Sequence, residues 1–283
     1  MNRDTQDLRP QATSPTGARD YLYDHVSSQV LGEDLDFGAD APGPGDRLPE
    51  FDLPTTTGER LRSSEVIGSK PLLLVFGSVT CPMTASSVPS LQRLHARFGD
   101  RIAFVMLYVR EAHPGENLPQ PRTLEQKLEH ARTLMKRDDI PWPIAVDDPE
   151  GRLHRAMDSK PNAAFLIDRG GQIVFRALWA GDERALRGAL EAVAQGERPP
   201  RPESRRRFVP MAKGMGQMRE VLHQAGPRAE RDIWRAAPPM GVTAWTASLF
   251  RPLPPHWRTV AALASFALAC GAVGALLARR RSS

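Results

Sequence analysis

The chain alternates between continuous apolar runs and stretches in which apolar residues recur every three or four positions. Leu72-Leu73-Leu74-Val75-Phe76, bounded by Pro71 and Gly77, reads as a strand buried on both faces, and Ile102–Val109 as a second. Between them Val88, Leu91, Leu94 and Phe98 recur at helical spacing after Pro82, a residue suited to a first helical turn, with Pro89 inside the stretch. Thr123 and Gln126 form a capping-box pattern ahead of Leu124, Leu128, Ala131 and Leu134 on one helical face. Trp142–Val146 predicts a short strand and Pro149–Met157 a short helix. Ala163–Ile167 and Gln172–Leu178 flank the turn Asp168-Arg169-Gly170-Gly171 as a hairpin, and Asp182 caps a helix carrying Leu186, Leu190 and Val193. A smaller hairpin is expected at 51–61, and a short helix around Tyr21–Val30. Two early strands joined by a helix should be parallel, with a right-handed crossover. Strand, helix, strand, helix, hairpin and closing helix is the element order of a thioredoxin-like α/β sandwich, a central mixed sheet with flanking helices.

Composition divides the chain further. Its 26 prolines cluster in the first 55 residues and after Arg198, so the expected organisation is a polar extension at 1–44, a domain at 45–197 and a basic Pro/Arg-rich segment at 198–258. The net charge of +5 hides an asymmetry: residues 1–197 carry 23 Lys/Arg against 29 Asp/Glu, while residues 198–258 carry 12 against 4. A basic segment next to an apolar one suits anionic lipid better than nucleic acid, which Arg205-Arg206-Arg207 with Phe208 alone does not support. Met211, Met215, Met218 and Leu222 form an apolar stripe that suits a helix packed on the body or on a lipid surface.

Val260–Ala278 is 19 residues without a charge, followed by Arg279-Arg280-Arg281 and preceded by Trp245, Phe250 and Trp257. At ~1.5 Å per residue it spans roughly 28 Å, so a single transmembrane helix is expected at 259–279. Ala267, Gly271 and Ala275 offer a ridge through which two such helices could pair as a homodimer. The polar first twenty residues lack the apolar core of a secretory signal, and together with the basic segment this predicts a single-pass membrane protein with its domain on the cytoplasmic side.

The candidate chemistry is one thiol. Cys81 follows the first strand and the turn Gly77-Ser78-Val79-Thr80 and opens a helix, where backbone amides and the helix dipole favour a thiolate. A buried inert cysteine is the plainer alternative. The other cysteine, Cys270, lies in the apolar run, so neither a Cys-x-x-Cys pair nor a disulfide with Cys81 is expected. A cycle at Cys81 then passes through sulfenic acid or a mixed disulfide resolved by an external thiol, a small thiol or a thioredoxin-like protein. His95, His130 and His154 show no ligand pairing, and no dinucleotide or phosphate-loop motif is present, so neither metal nor cofactor is expected.

Phe76-Gly77-Ser78-Val79-Thr80-Cys81-Pro82 resembles the active-site segment of the iodothyronine deiodinases, with cysteine in place of selenocysteine. Leu107-Tyr108-Val109-Arg110-Glu111-Ala112-His113-Pro114 resembles their strand-loop segment, and Leu124–Met135, Pro143–Asp147 and Pro161–Ile167 extend the similarity across about residues 44–195. Ser78 ahead of Cys81 also resembles the Thr/Ser-x-x-Cys element of peroxiredoxins. The resemblance implies Cys81 as nucleophile, His113 as acid/base, Ser78 and Thr80 orienting the thiolate, and Pro161 matching the thioredoxin proline that is cis and faces the cysteine. Pro161 and Glu111 are the expected substrate-side residues, Glu111 being half structural as a charge at a strand end. A second deiodinase histidine aligns near Pro121. The implied activity is a thiol oxidoreductase acting on peroxide or disulfide, with deiodination a weaker version and a non-catalytic membrane scaffold the alternative.

Overall fold

The computed structural model describes residues 21–281, with side chains described through residue 268. The elements are α1 (Ser28–Glu33), β1 (Asp52–Pro54), β2 (Arg60–Arg62), α2 (Ser63–Val66), β3 (Leu72–Gly77), α3 (Pro82–Phe98), β4 (Ala103–Tyr108), α4 (Leu124–Arg137), β5 (Ile144–Val146), α5 (Arg152–Ala156), β6 (Ala164–Ile167), β7 (Ile173–Ala177) and α6 (Glu183–Ala194). Beyond them lie β8 (Glu203–Ser204), α7 (Phe208–Ala225), α8 (Pro227–Ala236), α9 (Pro238–Ala247) and α10 (Pro255–Arg281). The six-stranded sheet runs β5-β4-β3-β6-β7-β8. β3, β4 and β5 are parallel, β6 is antiparallel to β3, and β7 to β6. With α3 as the crossover and α6 closing the unit, this is the thioredoxin-like sandwich that the element order predicts.

Strand periodicity sorts the core. Leu73, Val75, Met106 and Leu166 join one cluster with Leu91 and Leu94 of α3, Leu134 of α4 and Leu190 of α6. Their neighbours Leu72, Leu74, Phe76 and Phe165 join the other with Phe37, Phe51 and Leu153. Every residue of β3 is buried, which is why it reads as an unbroken apolar run. The capping box at Thr123 and Gln126 is formed, and Asp182 accepts the amide of Ala185.

The segments outside the sandwich differ from expectation. Residues 21–48 lie on the body: Tyr21 Oη meets His154 Nδ1 at 2.8 Å, Tyr23 Oη donates to the Ala112 carbonyl, and Gly45 N donates to the Ile173 carbonyl of β7. The basic stretch packs on the body, one of the two placements its methionine stripe suits. It adds β8 to the sheet edge and then packs three helices, with α7 lying along α3 and α8 and α9 folding back on α7. Its arginines turn toward the acidic body: Arg205 and Arg207 pair with Asp36, and Arg231 with Glu116.

The transmembrane helix expected at 259–279 is overturned, since among the described residues no helix is long and apolar enough to cross a membrane. The segment belongs to α10, whose first turns are tied to the body. Thr259 Oγ1 donates to the Ala212 carbonyl at 2.7 Å, Arg258 reaches the Gly216 carbonyl, and Ala262 is fully buried. Absence of charge is a weaker property than apolarity: alanine and glycine, which dominate this run, carry little transferable apolar surface. The side chains of Cys270, Gly271 and Ala275 lie outside the described residues.

Candidate functional site

Cys81 is the N-cap of α3, reached from the C-terminal end of β3 through the turn 78–80, whose carbonyl at Ser78 accepts the Cys81 amide at 3.2 Å. Glycine at the strand end lets this turn close: a Cβ on Gly77 would sit 2.9 Å from Thr84 Cγ2. The thiol is 1% exposed. It makes no capping hydrogen bond, yet the Thr84 hydroxyl and the amides of Thr84 and Met83 are placed to favour a thiolate. Burial outweighs them and pushes the thiol from its ordinary 9.0 up to about 11. The expected activation by the helix N-terminus is therefore reversed in sign, because the thiol loses more by leaving water than the helix end returns. The negative charge of Asp34 adds to the rise.

His113 shares a wall with this thiol. Both line a cavity of ≈ 280 Å³ that also takes in Asp34, Pro161 and Trp179. The imidazole is buried, its Nδ1 has no hydrogen-bond partner, and burial lowers its pKa from 6.5 to about 4. At neutral pH it is uncharged, so it offers the thiol a neutral ring and not a cationic partner. Asp34, the C-cap of α1, is half-buried and burial pushes its carboxyl up to about 7. Sequence reasoning passed over Asp34, since nothing in the residues ties position 34 to position 81.

Ser78, Thr80 and Glu111 brace the loop instead of touching the sulfur. Ser78 Oγ accepts the Ala112 amide at 3.3 Å, and Thr80 Oγ1 accepts the His113 amide at 3.2 Å while donating to Glu111 Oε2 at 2.6 Å. Glu111 is fully buried and its carboxylate also takes the Tyr108 hydroxyl and meets His130 Nδ1 at 3.0 Å. Burial and the Glu111 charge together hold Tyr108 firmly protonated. His130 therefore belongs to a site network that the residues alone did not reveal, because α4 brings it back from 19 positions downstream. Thr84 was missed as well, although its place three residues into the helix that Cys81 caps was the available signal. Pro161 lines the cavity, and every described peptide bond, Lys160–Pro161 included, is trans. Among the described residues no group of three or more His, Cys, Asp or Glu is placed to hold a metal ion.

Residues 53–183 match the family model described as iodothyronine deiodinase. This stretch is similar to the iodothyronine deiodinases. It spans β1 to the start of α6 and so includes Cys81, Glu111, His113 and His130, but neither the N-terminal α1 nor α7–α10. Thyroxine 5-deiodinase of Gallus gallus is 31% identical over 148 residues, covering 47% of this chain and 52% of that protein. The Homo sapiens enzyme of the same name is 33% identical over 78 residues, 24% of this chain and 26% of its own length. The chain thus spans about half the length, or less, of these relatives. The crystal structure of peroxidoxin BcpB from Mycobacterium tuberculosis superposes on 56% of this chain and 99% of its own, at 16% identity and a TM-score of 0.43.

Proposed function

We propose that this protein is a thiol-dependent oxidoreductase that reduces peroxide or disulfide through Cys81. One observation carries the reading: Cys81 stands at the N-cap of the helix that follows the carboxyl end of β3, in the wall of a cavity shared with His113 and Asp34. A packing cysteine needs neither the cavity nor two ionisable neighbours whose pKa values burial has moved. Oxidation gives a sulfenic acid or mixed disulfide at Cys81. The turnover is closed by an external thiol, a small thiol or a thioredoxin-like protein, because Cys81 is the one free cysteine among the described residues. The neutral His113 ring and the Asp34 carboxyl are the groups placed to take or return the proton. The relatives named thyroxine 5-deiodinase support deiodination as a narrower form of this reading.

The test is Cys81→Ser in the full chain, assayed for thiol-coupled consumption of peroxide and of a disulfide. Turnover should vanish. Equal rates in the two proteins would leave a non-catalytic module of the same fold. We infer separately a peripheral membrane contact that needs no spanning helix. Trp245, Leu249, Leu253 and Trp257 are exposed in consecutive segments beside Arg251, the composition of an interfacial lipid contact. Co-sedimentation with anionic vesicles should be lost in a Trp245→Ser/Trp257→Ser variant, and undiminished binding would remove this contact.

A further inference from the structure

The cavity beside Cys81 is walled in part by helices that lie outside the deiodinase-like stretch. Met211, Met215 and Met218 from α7 and Met240 from α9 face it, joined by Met83 of α3. These side chains are flexible, polarisable and uncharged, suited to an irregular apolar surface. No lysine or arginine lines the cavity among the described residues, and its one acidic group, Asp34, is itself held toward the neutral form by burial. An anionic or zwitterionic substrate would enter without a counter-charge and at a large desolvation cost. Two of the lining residues carry polar atoms that nothing satisfies: His113 Nδ1 and Trp179 Nε1, in side chains 6% and 4% exposed. The indole N–H can only donate, and it is left without an acceptor in the wall of the cavity. At ≈ 280 Å³ the space falls just below the ~300–1,000 Å³ of sites for drug-sized ligands.

We propose that α7 and α9 make this cavity a substrate chamber for compact, uncharged organic hydroperoxides, with an apolar body against the methionines and the oxygens toward Trp179, His113 and Cys81. The proposal rests on the reading of Cys81 as a redox thiol and names the substrate class of that site. In the step, Cys81 sulfur attacks the distal peroxide oxygen and the S–O bond forms as the O–O bond breaks. The thiol proton ends on the departing alkoxide oxygen, so thiol and hydroperoxide become sulfenic acid and alcohol. The sulfur loses two electrons and the peroxide gains them. One external thiol then condenses with the sulfenic acid to a mixed disulfide and water, and a second releases Cys81 as thiol with the external disulfide.

The test uses the full chain and reads two things. The first is the single-turnover rate of Cys81 sulfenylation by cumene hydroperoxide and by hydrogen peroxide. The second is protection of Cys81 from iodoacetamide by cumyl alcohol, the corresponding product, and by benzoate, which is aromatic but anionic. We expect cumene hydroperoxide to react at least tenfold faster than hydrogen peroxide. Cumyl alcohol should protect in a saturable way and benzoate should not. Met215→Trp, which fills the chamber, should abolish the tenfold preference and the protection. If that variant fails to fold by circular dichroism, the wild-type protection experiment decides alone. Equal protection by benzoate, or none by cumyl alcohol, overturns the chamber. Saturable protection by the alcohol with no sulfenylation by either peroxide keeps the chamber and overturns the redox reading beneath it.

Discussion

Thr84→Val changes one hydroxyl into a methyl at nearly constant shape, and it removes the leading favourable contribution to a thiolate at Cys81. The structure sets the starting point. With the thiol at about 11, only ~1% of Cys81 is ionised at pH 9, where an ordinary cysteine at 9.0 is half ionised. A hydrogen bond to a charged acceptor contributes ~1.5–3 kcal/mol, and ~1.4 kcal/mol corresponds to one pKa unit, so the substitution should raise Cys81 by ~1–2 units. Alkylation by iodoacetamide is proportional to the thiolate population, so its rate at pH 9 should fall ~10- to 100-fold. The wild-type profile should climb tenfold per pH unit up to about pH 10, reach half its maximum near 11 and level only above it. Thr84 Oγ1 also accepts the Ser78 amide at 3.4 Å, so circular dichroism and Tm must show the variant folded. A wild-type plateau at or below pH 9, or an unchanged profile in Thr84→Val, would refute a thiol governed by burial and opposed by Thr84.

Three further outcomes follow from the same geometry. His113 is depressed from 6.5 to about 4, so below pH 6.5 the unfolded chain takes up a proton that the folded chain refuses; stability is complete above 6.5 and falls toward pH 4, by an amount on the order of 3 kcal/mol, and His113→Asn should flatten this limb of the acid-unfolding curve relative to wild type. Cys81 runs in the opposite direction: its folded pKa is raised, so stability is complete below pH 9 and declines toward 11, again on the order of 3 kcal/mol, a decline that Cys81→Ser should remove from urea unfolding curves at alkaline pH. A Cβ on Gly115 would lie 2.1 Å from the Ala225 carbonyl at the end of α7, the oxygen that takes the amides of Asn117 and Leu118. Gly115→Ala should therefore cost about 1–3 kcal/mol and loosen the helical layer, so that Cys81 alkylates faster than in wild type at every pH, and an unchanged rate would detach α7 from access to the thiol.

The central sandwich was legible because each of its signals is local. The buried run of β3, the capping box at Thr123 and the Asp182 cap act within a few residues of themselves, and they appear in the structure where the pattern places them. Cys81 at a strand–turn–helix junction is local in the same way. The transmembrane helix and the lipid-facing arginines were misjudged for the same physical reason: the charge runs and the uncharged alanine-rich stretch describe what a segment is made of, not what it meets. Asp36 and Glu116 accept the arginines that composition assigns to lipid, and α7 accepts the first turns of α10.

The sequence by itself determined the sandwich and the position of the thiol along it. Only the tertiary structure decided the state of that thiol. Desolvation depends on every element that covers Cys81, including methionines more than 130 positions away, and it reverses the shift that the helix end alone would produce. The partners of Glu111 were settled in the same way, since Tyr108, Thr80 and His130 meet around one carboxylate only once β4, the 78–80 turn and α4 have packed.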